Sequence, residues 1–170
     1  MDFKNAKELL ELCQQQNLPI SEVMLQREMT EGEMPREEAQ SRMARALAIM
    51  KDSAHTPIKT PVRSMGGLIG GEAGKLAAHQ AAGHGICGDV LEKAITYAVA
   101  VLETNASMGL IVAAPTAGSA GVVPGLFLAL QECHNFSDED LIKALFNAGA
   151  IGYLAMRNAT VAGAVGGCQA

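Results

Sequence analysis

From Thr104 to Gln131 the chain carries no charged residue, and any fold must find a place for that stretch away from water. Its length would suit a membrane helix. Asn105, Ser107, Thr116 and Ser119 interrupt it, however, and Pro115 and Pro124 break it. Hydrocarbon tolerates neither freed backbone groups nor unpaired polar side chains. The stretch therefore reads as buried protein interior made of short helices and glycine-rich loops. Aromatic usage points the same way. No Trp, two Tyr and four Phe against 18 Gly leave little for sheet packing and favour helices meeting on small residues. The expected fold is all-α, a helical bundle with glycine-rich loops and an N-terminal helical arm.

A formal net charge of −5 without any Lys/Arg cluster argues against nucleic acid and anionic membrane as partners, since both demand a cationic face. The four cysteines, Cys13, Cys87, Cys133 and Cys168, are widely separated and form no CxxC pair. Met1-Asp2-Phe3-Lys4 opens the chain without an apolar signal core. A reducing cytoplasm is the expected location.

Charge and glycine divide the chain. Residues 1–52 hold 17 of the 31 Asp, Glu, Lys and Arg residues but only Gly32 of the 18 glycines, and residues 53–170 reverse that balance. The first part reads as an arm of three amphipathic helices. Phe3, Leu9, Leu10 and Leu12 stripe the first. Ser21 caps the second after Pro19. The third starts at Pro35, with Glu37 and Glu38 in its first turn, and runs through Met43, Leu47 and Met50. Residues 53–64 read as a linker held extended by Pro57 and Pro61. Residues 65–170 read as the helical body. Within it, Asp89 and Glu92 have capping-pair spacing before a helix to about Thr104, Gly121 to Leu130 forms another, and Ser137 with Asp140 announces a third.

Gly83-His84-Gly85-Ile86-Cys87-Gly88 matches the dinucleotide pattern GxGxxG, yet the residues before it, Lys75 to Gln80, look helical. A nucleotide-binding turn must instead leave a strand. His79, His84 and Cys87 are either a metal set or an interhelical loop with solvated histidines, and no compact zinc spacing supports the first. His55 stands in the expected linker, where core packing gives no reason for it. It is either a base or substrate contact, or a plain loop residue. Cys13 and Cys133 read as inert small hydrophobes on or near helices.

Two polar nests interrupt the uncharged stretch, Asn105-Ala106-Ser107-Met108-Gly109 and Ala114-Pro115-Thr116-Ala117-Gly118-Ser119-Ala120-Gly121. Hydroxyl and amide groups gather there beside glycines that let a ligand approach the backbone. A helix begins just after the second nest, and its N-terminus suits a carboxylate or phosphate. Near the end of the chain, Gly166-Gly167-Cys168-Gln169 places a thiol on a glycine-built turn, a setting that favours the thiolate and metal ligation.

The run Asn105 to Gly125, with Met65-Gly66-Gly67-Leu68-Ile69-Gly70-Gly71-Glu72-Ala73, Asn158-Ala159-Thr160 and Gly166-Gly167-Cys168-Gln169-Ala170, resembles the α chain of bacterial iron–sulfur-dependent L-serine dehydratases over nearly the whole sequence. The resemblance implies an all-α catalytic domain, an oxygen-sensitive 4Fe–4S cluster, an oligomer, and a separate β chain or domain. It implies conversion of L-serine to pyruvate and ammonia, with a cluster iron acting as Lewis acid for hydroxide departure while a base removes the α-proton.

Family ligands are three cysteines, the first in a Gly-Cys-Gln context, and the resemblance gives that role to Cys168. The other two lie in a downstream Cys-Asp-Pro-Val-Ala-Gly type of stretch that is absent here, so the sequence resembles an N-terminal portion ending within the cluster-binding region. Cys13, Cys87 and Cys133 fall outside the family motifs. Asn105, Ser107, Thr116 and Ser119 are expected to hold polar groups of the substrate, and His55 is the candidate base. The competing expectation is a non-catalytic helical assembly or binding module, whose glycines serve only close helix packing.

Overall fold

The computed structural model describes residues 2–160; Cys168 lies outside them. Among the described residues there are seven helices and no strand, the all-α architecture expected. They are α1 Ala6–Gln16, α2 Ile20–Glu31, α3 Arg36–Lys59, α4 Glu72–Ala81, α5 Asp89–Ala106, α6 Val122–His134 and α7 Asp138–Asn158. By contacts the chain divides into two compact units: residues 1–45 with 138–170, and residues 46–137. None of the described helices is long and apolar enough to cross a membrane.

In the first unit α2 packs against α7. Phe3, Leu9, Val23, Met24, Leu25, Phe146 and Ala150 form its core, each large side chain contributing about 1.5–3 kcal/mol by leaving water. Asn5 caps α1 by accepting from the Glu8 amide at 3.0 Å. Phe3 meets Tyr153 edge-on, with centroids 5.2 Å apart. The Tyr153 hydroxyl donates to Asp2 at 2.7 Å, and the Arg27 guanidinium lies 3.7 Å from the ring centroid. Residues at opposite ends of the sequence are thereby tied together.

Three local expectations need correction. The N-cap of α2 is Pro19, without a side-chain cap, and Ser21 lies inside the first turn. Helix α5 starts behind Gly88, whose φ of 80° suits glycine. Asp89 is there the first helical residue, and Glu92 Oε1 instead accepts from the Cys87 amide at 2.9 Å. The third correction concerns 53–59, expected to be extended but forming the last turns of α3, with His55 and Pro57 inside the helix.

A proline at 57 deprives the Ser53 carbonyl of its usual donor four residues on. Thr104 Oγ1 supplies that hydrogen bond from α5 at 2.8 Å. The Pro57 ring is fully buried, as is Ser53. A tertiary contact has thus overridden the local preference of the proline.

In the second unit α5 lies against α6, and α4 against α5. The α5–α6 approach is set by Gly121 and Gly125. A Cβ at Gly125 would stand 2.7 Å from the Ala94 carbonyl oxygen and 3.1 Å from Ala98 Cβ, and one at Gly121 would stand 2.5 Å from the Ala98 oxygen. These two glycines serve helix packing. At α4, Gly71 provides no side-chain cap. The carboxylate of Glu103 reaches over from α5, and its Oε1 accepts from the Ala73 amide at 2.8 Å. Glu103 is 1% exposed, and its Oε2 is buried without a hydrogen-bond donor among the described residues.

Candidate active site

The second unit brings the two polar nests together. Asn105, in the last turn of α5, donates from Nδ2 to the Ala117 carbonyl at 3.2 Å. Within the second nest Thr116 and Ser119 bond through their hydroxyl oxygens at 2.9 Å, and the Ser119 hydroxyl donates to the Ala114 carbonyl at 2.9 Å. Both residues are half-buried. Ser107 donates to the Thr104 carbonyl at 3.0 Å, closing the end of α5. These bonds hold the four side chains on a fixed backbone while leaving acceptor capacity on Asn105 Oδ1, Ser107 Oγ and Thr116 Oγ1.

His55 stands in a separate cluster of the same unit. Its Nδ1 lies 2.7 Å from the Lys51 carbonyl and its Nε2 lies 3.4 Å from Glu132 Oε1. Both neighbours are acceptors, so the imidazolium donates to both and the neutral ring to only one. Glu132, on α6, also receives the Tyr97 hydroxyl at 2.5 Å on Oε1 and the Lys93 ammonium at 2.6 Å on Oε2. The His55 and Tyr97 rings meet edge-on at 5.1 Å.

Burial alone would raise the Glu132 carboxyl, but the Lys93 ammonium and the Tyr97 hydroxyl outweigh it and hold it below its ordinary value. Lys93 is held above its ordinary value by the Glu132 carboxylate. Tyr97 is pushed well up, first by burial and then by Glu132. Lys93 and Tyr97 have i, i+4 spacing on α5, a helix-face signal present in the sequence, whereas Glu132 reaches them only through α5–α6 packing.

A pH experiment reads this cluster. The contribution of Glu132 is fully present above its ordinary value of 4.5 and is lost as pH falls through its lower folded value. The contribution of Lys93 is present below 10.5 and is lost as pH rises through its higher folded value. Glu132→Gln is therefore expected to flatten the stability profile on both limbs, as measured by urea unfolding from pH 3 to pH 11. A variant profile parallel to wild type would contradict the pairing.

The metal reading of His79, His84 and Cys87 finds no support. No group of three or more His, Cys, Asp or Glu among the described residues could hold a metal ion. The two histidine rings lie tilted at 36° to each other with centroids 5.2 Å apart, and Cys87 is exposed. The GxGxxG run follows α4 rather than a strand, as its context suggested. Cys13 and Cys133 are free and half-buried. The described residues therefore assemble no ligand set for an iron–sulfur cluster.

Residues 15–170 match the family model described as the serine dehydratase alpha chain. The chain belongs to that family. It is 42% identical over 168 residues to the probable L-serine dehydratase, alpha chain, of Bacillus subtilis (strain 168), an overlap covering 99% of this chain and 56% of that protein. With the L-serine dehydratase, alpha chain, of Peptoniphilus asaccharolyticus the identity is 33%, across 99% of this chain and 58% of the other. L-serine dehydratase TdcG of Escherichia coli (strain K12) is 32% identical over 99% of this chain and 38% of its own length. The chain thus spans rather more than half of the two alpha-chain relatives. The family assignment agrees with the resemblance carried by the Asn105–Gly125 run.

Proposed function

We propose that this chain forms part of an L-serine dehydratase, a lyase that converts L-serine to pyruvate and ammonia. The observation that carries this reading is the family match over residues 15–170. The relatives named as L-serine dehydratases, whose overlap takes in the whole polar-nest region, support it.

Elimination from serine must loosen a poor leaving group and a weakly acidic α-proton together. Asn105, Ser107, Thr116 and Ser119 are assigned to the substrate's carboxylate and hydroxyl. Their support is the arrangement in which Asn105 ties the end of α5 to the Thr116–Ser119 loop. For the α-proton, the residue proposed from this chain is His55, which must first release Nε2 from Glu132. A β chain is the alternative source of the base. The cofactor proposed from the resemblance is a 4Fe–4S cluster with Cys168 as one thiolate ligand. One thiolate does not hold such a cluster, so further ligands must come from outside the described residues. A β-chain partner, an oligomeric assembly and a cytoplasmic location complete the proposal.

The close packing of Gly121 and Gly125 against Ala94 and Ala98 favours a second reading, a non-catalytic assembly module. One experiment separates the two. Complete α and β chains are co-produced and reconstituted anaerobically with iron and sulfide, with and without Cys168→Ala. Pyruvate release from L-serine in the wild type, and loss of both iron content and turnover in the variant, are expected. Unchanged iron and turnover in the variant would reject the ligand role, and a wild type that releases no pyruvate would reject the enzyme reading.

A further inference from the structure

Helices α5 and α6 run antiparallel where they meet. Gly121 lies against Ala98 and Gly125 against Ala94, so numbers rise along one helix as they fall along the other. Two right-handed helices running in opposite directions turn the residue after each contact to the same side of the pair. Ile95 follows Ala94, Val122 follows Gly121 and Leu126 follows Gly125. Leu91 and Leu102 continue the Ile95 stripe along α5, four residues before it and seven after. All five side chains are apolar, and each is between 40% and 65% exposed. The opposite side of the pair is core, with Tyr97 and Val101 of α5 and Pro124 and Leu128 of α6 buried. One side of this two-helix layer is therefore packed and the other is bare.

The bare side is free of charge. Helix α5 has no charged residue between Lys93 and Glu103, and α6 has none before Glu132. A nucleic acid or a lipid headgroup would find no cation on it. Its complement is another row of apolar side chains, and the groove between two packed helices takes such a row best from a third helix. A second copy of the chain is one source. Five half-exposed side chains alone, however, present less than the roughly 800 Å² per partner of a stable dimer interface. A segment of the same chain needs less area, because the tether removes most of the association cost. The alpha-chain relatives carry such a segment. The overlap takes in only 56% and 58% of them, and the family match runs to the last residue of this chain.

We propose that the α5–α6 pair is the middle layer of a helical domain, and that its bare face seats an amphipathic helix from the part of the alpha chain that the relatives carry outside the overlap. This rests on the family match and is independent of what the polar nests bind. It has a consequence for them all the same. Helix α5 ends beside Asn105 and α6 begins just after the Thr116–Ser119 loop, so a helix seated across both is anchored next to both nests.

Hydroxyl-radical labelling read by mass spectrometry tests the proposal without any turnover. This chain is compared with the same chain extended after Ala170 by the part of the Bacillus subtilis alpha chain outside the overlap. Labelling of Leu91, Ile95, Leu102 and Leu126 is expected to fall in the extended chain to the level of buried Leu128, while Leu10 of α1 stays unchanged. Produced as two separate chains in one cell, this chain and that segment are expected to co-purify, and Ile95→Glu with Leu126→Glu to abolish the complex. The same substitutions should leave the circular dichroism of this chain alone unchanged. Undiminished labelling of the face in the extended chain, or a complex that survives both glutamates, would overturn the proposal. So would protection of the face that grows with the concentration of this chain alone and is lost on Leu126→Glu, which would make a second copy the occupant.

Discussion

Gly125→Ala is expected to lower the unfolding free energy by about 1–3 kcal/mol, the ordinary cost of forcing an extra carbon into a packed contact. The added Cβ has nowhere to go. It would sit 2.7 Å from the Ala94 carbonyl oxygen and 3.1 Å from Ala98 Cβ, and the oxygen belongs to the backbone of α5, which cannot rotate aside as a side chain can. Relief requires α5 and α6 to separate, which loosens the packing of Ala100, Val101, Leu128 and Ala129, all buried on the same two helices. Gly125→Val should cost more. As a control, Gly152→Ala on α7 meets nothing within 4 Å and should be neutral or slightly stabilising through helix propensity. Chemical denaturation of the three variants checks the series, and equal midpoints for Gly125→Ala and Gly152→Ala would show that the helices do not meet on Gly125.

Thr104→Val is expected to cost about 1–3 kcal/mol, the price of a buried carbonyl left without a donor. Volume is nearly conserved, so the loss isolates the hydrogen bond to Ser53. Pro57 makes the prediction sharper. In Pro57→Ala the residue regains an N–H that can donate to Ser53 in the ordinary helical manner, so Thr104→Val should cost much less in that background. A double-mutant cycle read by urea unfolding measures this coupling. Additive effects would mean that the threonine does not stand in for the missing amide.

The same pair of residues shows where reading a sequence stops. Proline at 57 argues for an extended linker on every local ground, and the compensating hydroxyl lies 47 positions away on another helix. The starts of α3, α6 and α7 were legible because their signals are local: Pro35 with two glutamates behind it, a glycine-rich loop, and a Ser-Asp pair. Abundant glycine with few aromatics indicated close helix contacts but could not say which glycines make them. At the candidate site, the two nests stood out as polar islands in an uncharged stretch, and the bond from Asn105 to Ala117 joins them. The His55 cluster was half hidden. Lys93 and Tyr97 share a helix face, but Glu132, which organises them, becomes their neighbour only once α6 has docked. Glu103 was hidden altogether, since a buried carboxylate on an apolar helix has no signature in composition or period.

Glu103 also bears on the order of events when the chain folds. Helix α4 has ten residues, too few to persist alone in water, and its first turn receives its side-chain acceptor from 30 positions downstream. Until α5 has formed and laid that carboxylate over the Ala73 amide, α4 has little to hold it. It is expected to form only with its neighbour in place, and its amides should lose protection against hydrogen exchange no later than those of α5 when the unit opens.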